Sequence, residues 1–495
     1  MNLYEDNIYH LDQSDSLSLF NMNPNDVSTA KFLSKTSLKI FTACAVMNER
    51  PYIQYQGKSQ LSKKVAVSLN SHFEDFEKKS PGHAFKDPKA SLLILDRSFD
   101  MTAPLLHDYA YESLVYEVVN TPDEADRMCS EEVKQEKHGQ SEKMMDRTDL
   151  VWKRYKNKHF ANAMVTINNE ISRFVQDNKN INAIKKGEGL EVADLKDVLS
   201  TMPKYTELLQ MYSKHLNLCH HVDQNLKNRS FIDLIKTEQM IISGLNDNGK
   251  EITNKEILKA IEGIYRNLEP IDHIRLLMIY FVCYEIPDKD METLLSTLNG
   301  DYHDACKNLS CILGSSNSGL IRRRVEVMGK SEYRDYSDQL ANTDYEILKS
   351  IPEIAKLAQL AQENTLDQGL YPYIGEQPEN MNRFGHSKVN GFSKMKGKLR
   401  KRWQNKGNNS APESKLMIFV IGGLSHHEIV SLNKLQDEQE INCTVIQGGS
   451  QVFTAAQFVE QMKRLKSKKP QSNLDGMIVG EDSILEVDQI GVDYT

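Results

Sequence analysis

Short unbroken aliphatic runs alternate with stretches of helical periodicity at both ends of the chain, whereas the middle carries helical periodicity throughout. Leu92, Leu93, Ile94 and Leu95 form the clearest run. Four consecutive apolar residues suit a strand buried on both faces of a mainly parallel sheet. Ahead of it the pattern predicts a helix from Ser28 to Asn48, a strand from Tyr52 to Tyr55 and a helix from Ser62 to Lys79. Toward the other end it predicts strands from Leu416 to Ile421 and from Cys443 to Ile446, with helices from His427 to Gln436 and from Ala455 to Leu465. This βαβα order implies parallel pairing through helical crossovers.

Isolated parallel pairs are poor folding units, so the two ends are expected to share one sheet. The predicted class is α/β: a mainly parallel sheet flanked by helices in a discontinuous domain, with a large, mainly α-helical domain inserted into it. The expected boundaries are 1–107 and 348–468 for the halves of the α/β domain, 108–347 for the insertion and 469–495 for a tail. Inside the insertion, Leu195, Val198, Leu199 and Met202 recur at helical spacing before Pro203, and Tyr205, Leu208, Leu209, Tyr212, Leu216 and Cys219 do so after it. An interior proline removes a donor and crowds the preceding turn, so 191–227 is expected to form a helical hairpin that breaks, kinks or folds back at Pro203.

Composition narrows the functional classes. The 495 residues carry 61 basic and 69 acidic side chains, a formal net charge of -8, which argues against nucleic acid as the main partner. No stretch approaches the ~20 consecutive apolar residues of a membrane helix, and the polar, acidic start lacks the form of a secretory signal. A cytosolic protein that reaches membranes through a partner is expected. The seven cysteines are scattered with no Cys-x-x-Cys pair, which suggests reduced thiols in place of disulfides or zinc.

Candidate chemistry is sparse. Asp96, Arg97 and Asp100 follow the Leu92–Leu95 run, with Pro104 just beyond. Two carboxylates could be an acid/base couple, but no Gly-x-Ser-x-Gly nucleophile elbow accompanies them. The preferred expectation is an ion-pair network in which Arg97 is their counter-charge and locks the turn against the inserted domain. Gly422-Gly423 and Gly448-Gly449 follow strands without a dinucleotide fingerprint or a P-loop ending, so they are read as tight turns. His426-His427 and His220-His221 are adjacent pairs, poorly placed for metal ligation. Lys394, Lys396, Lys398, Arg400, Lys401, Arg402 and Lys406 form a basic cluster without apolar periodicity, a solvated loop suited to attraction by anionic lipid. Arg322, Arg323 and Arg324 have no assigned role. No cofactor is expected.

The motifs recur in an order that resembles the SM family, the Sec/Munc syntaxin-binding proteins. They are the aliphatic run with Asp96-Arg97-x-x-Asp100 and Pro104-Leu105-Leu106-His107, then Asp149-Leu150-Val151-Trp152, Met202-Pro203-Lys204-Tyr205, Ile321-Arg322-Arg323-Arg324, Tyr371-Pro372-Tyr373-Ile374 and Phe419-Val420-Ile421-Gly422-Gly423. The resemblance implies the same discontinuous α/β domain interrupted by a helical one. It implies a non-enzymatic regulator of SNARE-mediated vesicle docking and exocytosis, a monomer that grips a syntaxin-type SNARE or assembled SNARE helices at the plasma or vesicle membrane. It places Pro203 at the bend of a SNARE-facing hairpin, Asp194 as its restraint, and Leu209 and Leu216, seven apart, as partner contacts. SM proteins generally begin with a further α/β domain, which the segment from Met1 to Phe20 would follow, so a module is expected to be missing and its syntaxin amino-terminal peptide pocket does not carry over. Two other readings remain: an α/β enzyme with a helical cap, and an inactive, truncated paralogue acting as an adaptor.

Overall fold

The computed structural model describes residues 2–465 apart from 120–123, 126–144, 178–191, 314–350, 379–414 and a few shorter stretches. Its strands are β1 (Asn2–Leu3), β2 (Ile8–His10), β3 (Tyr52–Tyr55), β4 (Ser91–Asp96), β5 (Tyr373–Ile374), β6 (Lys415–Ile421), β7 (Leu424–Ser425), β8 (Thr444–Gly449) and β9 (Val452–Phe453). Helices of the α/β part are α1 (Val27–Val46) and α2 (Gln60–Lys79). Those between β4 and β5 are α3 (Tyr111–Val118), α4 (Leu150–Tyr155), α5 (Phe160–Asp177), α6 (Val192–Asn228), α7 (Phe231–Ser243), α8 (Asn254–Ile264), α9 (Pro270–Cys283), α10 (Asp288–Leu295), α11 (His303–Leu313) and α12 (Glu353–Gln362). After β7 and β9 come α13 (His426–Asp437) and α14 (Ala455–Arg464).

A seven-stranded sheet runs β1-β2-β8-β6-β4-β3-β5, with the central five strands parallel and the two-residue edges β1 and β5 antiparallel. Its centre joins residues far apart in sequence. β4 lies beside β6 from Ser91↔Leu416 to Asp96↔Ile421. Side chains alternate across the sheet with period two. Leu92, Ile94, Met417, Phe419 and Ile421 face a core shared with α1 and α2, while Leu93, Leu95, Leu416, Ile418 and Val420 face one shared with α12 and α13. Burial on both faces explains why these strands read as continuous aliphatic runs. The α/β class expected from the pattern is therefore the class observed.

The helices between β4 and β5 other than α12 gather around two further cores. One unites α3, α4, α5, α6 and α7 through Tyr111, Trp152, Phe160, Met211, Leu218 and Phe231. The other surrounds α9, in which every residue from Asp272 to Cys283 is buried. Helix α14 also enters this second core through Phe458, Val459 and Met462. The last βα unit thus clamps the helical part, and Asn308 Nδ2 of α11 donates to the Met462 carbonyl at 2.8 Å.

Two expectations require correction. The 191–227 region is one continuous 37-residue helix, α6, running through Pro203, where a two-helix hairpin was expected. An interior proline costs one backbone hydrogen bond and about 3 kcal/mol of propensity; packing of the downstream part against the α3–α5 core offsets this. Gly448 and Gly449 do not form a turn after the strand but belong to β8 itself. A Cβ at Gly448 would sit 2.1 Å from Tyr9 Cζ, so the glycine makes room for that ring on Phe419.

Candidate partner-binding surface

The surface is built on joints that fix the helical part to the sheet, and the first is the turn after β4. Asp96 accepts hydrogen bonds from the Ser98 amide at 2.9 Å and from the Ser98 and Ser59 hydroxyls. Ser59 also caps α2, accepting from the Ser62 amide at 2.9 Å, so Asp96 ties the end of β4 to the start of a flanking helix. Burial raises the Asp96 carboxyl above its usual range, although the Ser59 and Ser98 hydrogen bonds and the Arg97 charge pull against it. Asp100 Oδ1 accepts from the Thr102 amide at 2.9 Å and hydroxyl at 2.7 Å, and Oδ2 accepts from the Glu353 amide at 3.0 Å, at the start of α12.

Arg97 does not pair with either aspartate. Its fully buried guanidinium donates Nη1 to Glu428 Oε2 at 2.8 Å and Nη2 to Glu428 Oε1 at 2.7 Å, with further bonds to the Gly423 and Asp100 carbonyls. The counter-charge expected at Asp96 and Asp100 is therefore Glu428 on α13, and the lock closes within the α/β part. Both aspartates already have their oxygens occupied by amides and hydroxyls. Gly422 (φ +100°) and Gly423 (φ +104°) take backbone conformations that disfavour other residues. A Cβ on Gly422 would come 2.8 Å from Arg97 Cβ, so the expected tight turn also leaves space for the arginine. Pro104 follows in the turn that leads to His107.

His107, which closes the Pro104-Leu105-Leu106-His107 motif, is the joint that the sequence did not single out. Its Nδ1 lies 2.7 Å from Glu238 Oε1 on α7, and its Nε2 lies 3.5 Å from Asp272 Oδ1 on α9 and 3.7 Å from Glu117 Oε2 on α3. Arg275 donates Nη1 to Glu117 at 2.7 Å and Nε to the Leu105 carbonyl at 2.9 Å, and Arg229 donates to Asp272. Burial and the Arg275 charge push the imidazole down, but Glu238, Glu117 and the Asp272 hydrogen bond outweigh them and lift it to about 9. Three acids then face three cations in a buried cluster.

A second polar chain seats α6. Tyr111 Oη is 2.8 Å from His215 Nδ1, and His215 Nε2 is 2.8 Å from Asp149 Oδ2. The Asp149 carboxylate accepts from the Nε2–H, and Nδ1 shares the second hydrogen bond with the tyrosine hydroxyl. Asp149 also caps α4 through the Trp152 amide at 2.8 Å. Burial would raise its carboxyl, but the His215 hydrogen bond and charge prevail and hold it low. Met211, Leu218, Cys219 and Val222 pack on either side of His215, and Tyr212 Oη donates to Glu170 Oε2 of α5 at 2.6 Å.

The candidate contact residues sit on the same helix. Leu209 and Leu216 are half-buried. Asp194 and Pro203 belong to α6, but their side chains lie outside the described residues. Lys398, Arg400, Lys401 and Arg402, and the triplet Arg322, Arg323 and Arg324, also lie outside them. Of the histidine pairs, His426 stacks on Tyr116 at 3.7 Å with its Nδ1 3.2 Å from Glu112 Oε1, His427 is buried, and His220 is exposed beside Gln224. Among the described residues, no three His, Cys, Asp or Glu side chains are grouped to hold a metal ion, and Cys44, Cys219, Cys283, Cys306 and Cys443 are buried. An open cleft of about 1000 Å³ beside β9 and α14 is lined by His10, Tyr302, Gln451, Gln457, Glu460 and Arg464, among others. Among the described residues, no serine, threonine, cysteine or lysine lines it.

The Sec1 family profile matches residues 1–461. This chain belongs to the Sec1 family. It is 23% identical over 476 residues to the protein transport protein sec1 of Dictyostelium discoideum, covering 94% of this chain and 76% of that one. With protein transport Sec1b of Arabidopsis thaliana it shares 22% identity over 508 residues, covering 90% and 72%. Among solved structures it resembles the Unc18–syntaxin 1 complex from Monosiga brevicollis, with a TM-score of 0.66, 18% identity, and 92% of this chain and 75% of that chain covered. It also resembles the SM protein Vps45 in complex with the Qa SNARE Tlg2, with a TM-score of 0.64, 16% identity and coverages of 88% and 70%. These likenesses establish a shared fold, and the family drawn from the ordered motifs is borne out. Among the described residues of this Sec1 family chain, no helix is long and apolar enough to cross a membrane.

Proposed function

We propose that this chain is an SM-type regulator of SNARE-mediated vesicle docking and fusion, in the exocytic branch. It binds a syntaxin-type SNARE and assembled SNARE helices and catalyses no reaction. The observation that carries this reading is its fold likeness to two SM proteins, each solved with its SNARE partner. Residues 1–107 and 348–468 serve as the scaffold, and 108–347 as the helical part that presents α6. Support for that division comes from the β4–β6 pairing, from the Arg97–Glu428 lock within the scaffold, and from the buried joints at His107 and His215, which hold the helices in a fixed position.

Leu209 and Leu216 lie two helical turns apart, a spacing that fits the groove of a partner helix. Pro203 acts as the hinge and Asp194 as its restraint. Lys398, Arg400, Lys401 and Arg402 add attraction to anionic membrane once a partner brings the protein there. The test is binding of the full chain to a syntaxin cytoplasmic segment and to an assembled four-helix SNARE complex. Leu209→Arg with Leu216→Arg is expected to weaken capture at least tenfold, about 1.4 kcal/mol, with an unchanged thermal midpoint. Wild-type protein that ignores every syntaxin and assembled complex, or a double variant that binds like wild type, would defeat the proposal.

A further inference from the structure

The inner and outer sides of α1 differ sharply. Leu33, Ile40 and Cys44 face the sheet core, whereas Val27 and Val46 are each 70% exposed and Leu38 is 50% exposed. With 3.6 residues per turn, positions 27, 31, 35, 38, 42 and 46 fall on one side of the helix. Lys31 and Lys35 are exposed among the apolar residues there. The 20 residues of α1 include no aspartate or glutamate, and the nearest carboxylate in sequence is Asp26, just before the helix begins. Single exposed hydrophobic residues are ordinary on protein surfaces. Here, three of the nine large hydrophobic side chains exposed among the described residues share this one face.

The face is also held rigidly. On one flank, Lys39 Nζ donates to the Leu11 carbonyl at 2.8 Å. On the other, the Ser37 hydroxyl meets the Ser68 hydroxyl of α2 at 2.7 Å, and Phe41 packs edge-on against Phe73 at 5.1 Å. A fixed helix that mixes lysines with protruding aliphatic side chains, on a molecule of net charge -8, complements a surface with negative charge outside and hydrocarbon beneath. Lysine stems cover apolar surface while their ammonium groups stay at the polar level, and basic residues near an anionic bilayer are attracted to it.

We propose that the outer face of α1 rests on an anionic bilayer, with Lys31 and Lys35 among the headgroups and Val27, Leu38 and Val46 entering the acyl boundary. This surface lies on a different helix from α6, and it does not depend on SNARE binding.

The test is co-sedimentation of the full chain with phosphatidylcholine vesicles, with and without phosphatidylserine, at low and high salt. Binding is expected to require phosphatidylserine and to weaken with salt. Lys31→Gln with Lys35→Gln is expected to reduce partitioning about 30-fold, from the attraction usual for a basic residue at such a surface. Leu38→Asn with Val46→Asn, which leaves charge unchanged, is expected to reduce it as well. Lys398→Gln with Lys401→Gln is expected to leave the α1-dependent part in place, and syntaxin capture in solution is expected to stay at wild-type level in the α1 variants. Equal binding to neutral vesicles, or wild-type binding by either α1 variant, would overturn the proposal. It would also fall if the α1 variants lost only a soluble acidic polypeptide, since the face would then be a protein-docking site.

Discussion

Arg97 shows how much a single side chain can carry in this fold. Its guanidinium and the Glu428 carboxylate are both fully buried, and they join residues 331 apart in sequence. Removing one partner leaves the other as an uncompensated buried charge, which typically costs about 3–5 kcal/mol. Arg97→Met and Glu428→Gln are each expected to lower the urea midpoint strongly. The double variant should recover part of the loss, so that the double-mutant cycle gives a coupling of at least about 1 kcal/mol. Additive losses would show that the pair is not a coupled unit. The Asp96-Arg97-x-x-Asp100 pattern was legible because it follows an aliphatic run in a recognisable order. Its partner was not, because nothing local to Glu428 says which cation it will meet. Gly448 makes the same point: a glycine pair after an apolar run reads as a turn, and only the position of Tyr9 reveals that it makes room for a ring.

At the scale of elements, strands were read better than helix boundaries within the insertion. The aliphatic runs at Leu92–Leu95, Leu416–Ile421 and Tyr52–Tyr55 lie within or coincide with β4, β6 and β3. The two-residue strands β1, β5, β7 and β9 were not foreseen, since so short a pairing leaves no periodic signal. In α6 the sequence pointed to Leu209 and Leu216 as partner contacts, and the stripe that is buried runs through Met211, His215, Leu218 and Val222. A hydrophobic pattern cannot register a histidine that is satisfied by Tyr111 and Asp149. The same helix passes through Pro203 because tertiary packing downstream outweighs a local breaker. Pro203→Ala restores the missing amide donor. It is expected to slow hydrogen exchange of neighbouring amides by an order of magnitude or more while leaving the global thermal midpoint within about 2 °C, on the usual scaling for a small local gain. Unchanged exchange would mean that the proline imposes no local weakness.

For the whole molecule, the sheet and the helical part meet through ionised groups, and this makes stability depend on pH. His107 titrates near 9 in the fold, against about 6.5 in an unfolded chain. A raised pKa favours the folded state fully below about 6.5, and that contribution disappears as pH climbs through about 9. The unfolding free energy from urea titration is expected to fall between pH 7 and about 9.5 in the wild type, by an amount on the order of 2 kcal/mol from this group. His107→Gln should flatten much of that decline while lowering stability at neutral pH. An equally steep decline in the variant would place the dependence elsewhere. The α/β class followed from hydrophobic pattern alone, whereas the joints depend on polar residues that come together only after the helices have packed.

The uninterrupted course of α6 has a mechanical consequence. At 1.5 Å per residue its 37 residues extend about 55 Å. The stretch from Met211 onward is gripped by the core, and the Val192 end lies about 28 Å from it along the helix axis. A tilt of about 5° at the grip would swing the Val192 end by about 2.5 Å, half the rise of one helical turn. A sub-ångström adjustment around His215 is therefore magnified several-fold at the Val192 end of the helix.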